Sequence, residues 1–309
     1  MGARSRNFIP SSLNSFIESE RQVNPSVTDT LQALGHRPRK RFSQSFLSDQ
    51  HIADAIVRAA KLTGSETVLE IGPGLGVLTQ RLVTRAARVV AVEIDRDLAA
   101  RLPSAIGASN LEVVQMDALD LDPATLGIGE YRLVANLPYH VTSPILMRFL
   151  HDVAPPDLAV LMMQREVAER IAAEPGHLSY LSIAIQSAAA VQVVRQVPPT
   201  AFVPRPKVDS TVLRLVPHRV EPGGATPGAF LPFVRAGFTQ PRKRLANSLS
   251  QGLNIAKSTL DTFLEEQDIG EQCRPHELSI EQWQCLSAAW HAQADATGES
   301  TPAQHRRKR

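Results

Sequence analysis

The chain has 309 residues, 43% of them hydrophobic, and 33 Lys and Arg against 31 Asp and Glu leave a formal net charge of +2. That length and composition suit an ordinary globular protein with one large core and a smaller satellite, and the near-balanced charge names no partner in bulk. Its two cysteines form neither a zinc spacing nor a disulfide framework, and no uncharged apolar run reaches the roughly 18 residues of a membrane span. A reduced, cytoplasmic protein without a metal site is the expectation.

Residues 1–35 are rich in Ser, Asn, Thr and Pro without a sustained period and are expected to form a flexible extension. The basic stretch "HRPRKR" (36–41) closes it; "RKR" (242–244) and a terminal "RRKR" (306–309) repeat the theme, a distribution suited to phosphate contacts. From Ser48, read as an N-cap, Ile52, Ile56 and Ala59 follow helical spacing.

Then come the β-branched runs "TVLEI" (67–71), "RVVAVEI" (88–94), "LEVVQM" (111–116) and "YRLVAN" (131–136), with helical patterns between several of them. Strand–helix alternation at that pitch predicts an α/β fold with a doubly wound, Rossmann-like sheet. "LAVLMM" (158–163), "VQVVRQV" (191–197) and "STVLRLV" (210–216) bring the strand count to about seven, the last ones antiparallel. The apolar stretch "SYLSIAIQSAAAVQVV" reads as a buried helix running into a strand. Past a Pro/Gly-punctuated linker (216–228) only helical spacing remains, around 230–238, 245–253, 260–264 and 283–290. The predicted organisation is an extension (1–35), an α/β domain (36–217), a small all-helical domain (218–291) and a basic tail (292–309).

"EIGPGLG" (70–76) joins the first strand to a helix, and glycines 72, 74 and 76 permit tight turning and close approach of a ligand. A dinucleotide fingerprint would place its third glycine at position 77, which is Val77. Glu93, ending the second strand, is placed to accept from both hydroxyls of an unphosphorylated ribose, and Asp117, just after the third, from an adenine amino group. Loop, Glu93 and Asp117 together describe S-adenosylmethionine better than NAD, because that ligand has no phosphates to cradle.

"NLPYH" (136–140) follows the fourth strand. An exocyclic adenine nitrogen is a poor nucleophile whose proton is too weakly acidic to remove first, so a general base gains little. Acceptance of its two N–H bonds by the Asn136 side-chain oxygen and the Leu137 carbonyl favours pyramidalisation and aims its lone pair. Pro138 fixes the turn and Tyr139 offers a stacking face. A base so held must leave its helix. His140 is not required by this chemistry.

These motifs, in this order, resemble the ribosomal RNA adenine N6-dimethyltransferases, specifically the small-subunit KsgA type. The resemblance runs from about residue 38 to 290 through "KRFSQSFLSD", "EIGPGLGVLT", "VEIDRDLAARL", "QMDAL", "NLPYHVTSPIL", "VPPTAFVPRPKVDSTVLRL" and "FTQPRKRLANSL". It implies a class I methyltransferase domain, a helical rRNA-binding domain, and a methyl-donor site lined by Ser45, Leu47, Gly72, Glu93, Asp117 and Asn136. Tyr139 would stack the target base and Phe202 would close its other face. The implied activity is four methyl transfers from S-adenosylmethionine to two adjacent adenosines near the 3′ end of 16S rRNA, on an immature small ribosomal subunit, by a monomer. The family usually has Gly and Asn where this chain has Ser43 and Ser45, which puts the side-chain contact from Ser45 in question. Erm-type modification of large-subunit rRNA is the rival within the class; a non-catalytic small-subunit assembly factor is the rival outside it.

Overall fold

The computed structural model describes residues 27–33, 44–218 and 230–297. The basic clusters 36–41 and 306–309, Ser43, most of the 1–35 extension and most of the linker lie outside them. Within the extension, Val27–Ala33 is a helix (α1), with Val27 and Leu31 buried one turn apart. It belongs to a unit ending at Arg37, separate from the rest. A single apolar pair over two turns is too short a signal to read as a period.

The main unit is built on nine strands and ten helices in chain order, as far as the described residues run. They are β1 (Phe46–Leu47), α2 (Gln50–Ala59), β2 (Thr67–Ile71), α3 (Thr79–Leu82), β3 (Arg88–Glu93), α4 (Arg96–Ile106), β4 (Leu111–Gln115) and β5 (Arg132–Asn136). Then follow α5 (Thr142–Met147), β6 (Leu158–Gln164), α6 (Arg165–Ile171), α7 (Tyr180–Ala188), β7 (Ala189–Val197), β8 (Phe202–Val203) and β9 (Ser210–Pro217). The helices α8 (Leu231–Gly237), α9 (Leu245–Leu253), α10 (Lys257–Glu266) and α11 (Ile280–Thr297) complete it. Seven strands form one sheet in the order β4-β3-β2-β5-β6-β9-β7, with the first five parallel and β9 antiparallel to both neighbours. Every strand predicted from its β-branched run is present, and "SYLSIAIQSAAAVQVV" is a helix, α7, passing directly into β7.

Both faces of the sheet are covered, which is why its central strands read as continuous apolar runs. Alternate residues go to opposite faces: Leu69, Ile71, Leu133 and Leu161 pack with Ile145, Leu146 and Phe149 behind α5, whereas Val68, Val134 and Val160 pack with Ile56, Val57 and Leu82 from α2 and α3. The α2 cap differs from expectation. Asp49, one residue later than Ser48, accepts from the amides of His51 and Ile52, while the Ser48 hydroxyl donates to the Ala201 carbonyl. A carboxylate is the stronger acceptor at a helix N-terminus, and the hydroxyl is taken by the distant turn Pro199–Ala201 that leads into β8.

Helices α8 to α11 gather a third cluster around Phe233, Phe263, Trp283 and Trp290, and that cluster includes Ile183 and Ala184 of α7. Phe263 meets Trp290 edge-on with centroids 5.1 Å apart, and the Trp283 indole N–H donates to the Pro275 carbonyl. Two glycines permit this packing. A Cβ at Gly237 would fall 2.3 Å from Trp283, and one at Gly252 only 2.4 Å from the Ala236 carbonyl oxygen, where backbone cannot yield as a side chain can. Gly252→Ala is therefore expected to separate α9 from α8 and destabilise the fold by about 2 kcal/mol, read as a lower midpoint in urea denaturation followed by tryptophan fluorescence.

Candidate active site

The carboxyl ends of β2 to β5 open into one cavity, roofed by the segment Gln44–Leu47. Seven predicted donor-site positions, Ser45, Leu47, Gly72, Gly74, Glu93, Asp117 and Asn136, all line it, as do Leu137, Pro138, Tyr139 and His140. The loop after β2 runs with φ of +65° at Gly72 and +57° at Gly74, conformations L residues rarely hold. Gly74 has a second constraint: a Cβ there would lie 3.0 Å from the Phe46 ring, so a larger residue would have to displace that part of the roof.

Glu93 is buried at the end of β3, and its carboxylate accepts from the Gly74 amide at 3.1 Å and the Asp95 amide at 2.9 Å. Burial pushes the Glu93 carboxyl up, and those amides pull it partly back. One lone pair on each oxygen remains for an incoming hydroxyl. Asp95 is itself fixed by the Gln44 side-chain amide at 3.0 Å. Asp117 accepts from the Leu119 amide through Oδ1 at 2.9 Å, and its Oδ2 has no protein donor among the described residues.

In the turn after β5, the Asn136 Nδ2 donates to the Ser45 backbone carbonyl at 3.4 Å. A carbonyl can only accept, so this partner fixes the amide orientation and leaves Oδ1 as the exposed acceptor. This contact of Ser45 with Asn136 is made by main chain and is open to any residue type. The Leu137 amide donates to the Met162 carbonyl at 3.0 Å, and the Pro138 carbonyl is taken by the Val141 amide and the Thr142 hydroxyl, each at 3.2 Å. The Leu137 carbonyl takes no part in these bonds. The Tyr139 hydroxyl bonds the Ser210 hydroxyl at 2.9 Å, and burial pushes its phenol up, so it stays neutral.

Phe202 stands apart from this constellation. It is buried among Ile56, Val160 and Val212 and pairs through its backbone with Leu47, so it supports the roof from behind and does not line the cavity. The apolar run "AFV" placed an aromatic ring near the site without showing which way the short strand faces.

Glu70 was not anticipated as a site residue. It lines the cavity from β2, fully buried, with no hydrogen bond to either oxygen. Burial pushes its carboxyl up to about 8; the Thr79 hydroxyl and amide, outside hydrogen-bonding geometry, offset only part of this, and Glu93 adds to it. The available signal was its place in "TVLEI", an acid on the same face as Val68. No group of three or more His, Cys, Asp and Glu is placed to hold a metal ion among the described residues.

Residues 35–290 match the sequence profile described as ribosomal RNA adenine dimethylase. The chain belongs to this family. A ribosomal RNA small subunit methyltransferase A of Rippkaea orientalis is 42% identical over 262 residues, covering 80% of this chain and 95% of the relative. Among solved structures, a dimethyladenosine transferase of Plasmodium falciparum superposes with a TM-score of 0.68 at 26% identity, covering 82% of this chain and 98% of that one. The 23S rRNA methyltransferase ErmE superposes at 0.62 and 30% identity, covering 79% and 98%. The chain is thus an S-adenosylmethionine-dependent rRNA adenine dimethyltransferase, with rRNA as its substrate.

The residues present fit that donor: Glu93 keeps acceptor capacity for a ribose, Asp117 keeps Oδ2, and Gly72 and Gly74 bring backbone rather than side chains to the cavity wall.

The Glu70 proton has a measurable consequence. Its folded pKa of about 8 lies above the ordinary 4.5, so the folded state holds a proton the unfolded chain has lost, and stability falls as pH rises between those values. Glu70→Gln is expected to match the parent near pH 5 and exceed it at pH 8.5 by on the order of 4 kcal/mol, checked by urea denaturation at the two pH values.

Proposed function

We propose that this chain dimethylates N6 of adenosines in small-subunit rRNA, acting on an immature small subunit as a cytoplasmic monomer, with Asn136 and the Leu137 carbonyl as the acceptor pair. The observation that carries the mechanism is the Asn136–Ser45 bond. It fixes the amide so that Oδ1 and the Leu137 carbonyl remain the two acceptors without a turn partner.

When bound, the donor supplies a methyl carbon made electrophilic by its sulfonium. Asn136 and Leu137 accept the two N6–H bonds, drawing the nitrogen lone pair out of conjugation and toward the cavity. As the new C–N bond forms, the methyl–sulfur bond breaks and its electron pair remains on sulfur. The surplus N6 proton leaves to solvent after transfer, so no side chain needs to act as base. Tyr139 offers its ring to one face of the adenine, and its hydroxyl is held away by Ser210. Glu93 and Asp117 would hold the ribose and adenine ends of the donor.

The small-subunit assignment rests on relatives named for that activity, at 42% and 38% identity over 80% and 81% of this chain. Exposed Arg242 and Lys243 on the turn before α9 support the helical region as an RNA-binding surface; Arg244 beside them is engaged by Glu271 at 2.6 Å. No helix among the described residues is long and apolar enough to cross a membrane.

Incubation with labelled donor and undermethylated small subunits should place label in N6-dimethyladenosine of small-subunit rRNA; label confined to large subunits would establish the Erm-type reading instead. Asn136→Ala should lower the single-turnover rate by about 100-fold while donor affinity by calorimetry changes far less. A variant that turns over at the parent rate removes the acceptor-pair mechanism.

A further inference from the structure

Four large apolar side chains are exposed among the described residues: Ile94, Val193, Val208 and Val216. Ile94 lines the donor cavity, and Val193 and Val216 lie on β7 and β9 at the far edge of the sheet. Val208, 44% exposed, has no such explanation. It sits in the loop 204–209 that joins β8 to β9.

Both ends of that loop are pinned to the cavity wall. At its start, Val203 pairs with Phe46, which roofs the site. At its end, the Ser210 hydroxyl holds the Tyr139 hydroxyl at 2.9 Å, and Val208 is two residues away, within about 7 Å of chain. Asp209 is clamped by Arg165 twice, through its carboxylate and through its carbonyl, each at 3.0 Å. Pro204 and Pro206 fix two further φ angles. Between these restraints Arg205 and Lys207 are exposed and make no ion pair among the described residues. The result is a rigid rim presenting cation, cation and apolar side chain in sequence beside the stacking tyrosine.

We infer that loop 204–209 grips the rRNA strand beside the extruded adenosine, with Arg205 and Lys207 on flanking phosphates and Val208 against the neighbouring base face that the departing adenine uncovers. Extruding a base leaves an apolar face of its neighbour in water, and a side chain that covers it lowers the cost of the open state. Phosphate contacts alone would hold the strand without favouring extrusion. An exposed valine in open water gains nothing, whereas the same valine on a base face removes apolar surface from both. The inference rests on the rRNA methyltransferase reading above and assigns the loop a part in substrate opening that the donor cavity cannot supply.

The test is single-turnover methyl transfer with full-length protein, S-adenosylmethionine and undermethylated small subunits. Val208→Ser is expected to slow transfer at saturating subunits by about tenfold with subunit affinity within about twofold of the parent, and Val208→Leu to restore the rate. Arg205→Ala/Lys207→Ala is expected to weaken subunit binding and reduce its salt slope by about two. Parent-like transfer by Val208→Ser, with the parent active, overturns the assignment while leaving the enzyme reading intact. No transfer by the parent overturns that reading and this inference together.

Discussion

Strands β2 and β5 lie side by side and parallel, yet the chain leaves them toward opposite faces, and everything at the site follows from that divergence. After β2 it turns to α3, which packs with Val68 and Val134; after β5 it turns to α5, which packs with Leu69 and Leu133. No connection can cover the gap between two loops that part in this way, so a crevice at the carboxyl ends is a topological consequence of the strand order. The glycine turn forms one lip and the Asn136 turn the other. The short β1–β8 ladder closes the crevice from above, tied to the Asn136 lip through Ser45 and to the glycine lip through Phe46 over Gly74.

Putting two carboxyls, Glu70 and Glu93, on adjacent strands at such a crevice would create like-charge repulsion if both ionised. Their environments separate them. Glu93 receives two amide hydrogen bonds and stays an acceptor, whereas Glu70 receives none and keeps its proton at neutral pH. A cationic sulfonium ligand in the proposed site would therefore meet, from this pair, one carboxyl held by two amides, while the neutral acid beneath the glycine turn contributes volume without charge.

Much of this was legible in the residues. Strands announce themselves as β-branched runs because burial on both faces leaves no other composition available, and the glycines, Glu93, Asp117 and Asn136 each sit at a strand exit that the alternation locates. What stayed hidden depended on orientation or on contacts distant in sequence. Ser48 has the right chemistry for a cap, but a carbonyl some 150 residues away claims its hydroxyl, and Asp49 takes the helix. Phe202 lies in the right segment with its ring turned into the core. Glu70 needed the knowledge that its face of β2 is sealed by Thr79 and Leu82, which no local pattern states. Ser45 holds the Asn136 amide through its backbone carbonyl, which a side-chain reading cannot see.

Stacking on Tyr139 illustrates why rigid surroundings matter more here than an added catalytic group. A free tyrosine ring loses rotamer freedom on meeting a base, and that loss subtracts from the stacking energy. Here Pro138 limits the backbone before it, the Pro138 carbonyl is held by Val141 and Thr142 after it, and Ser210 holds the hydroxyl at the far end. The ring is therefore held by the fold itself, and in the proposed role its contact energy would go into keeping the base out of its helix. The same turn carries the Leu137 carbonyl, so in the proposed mechanism the ring and one of the two N–H acceptors would be positioned by one set of restraints, with little left to reorganise at the moment of transfer.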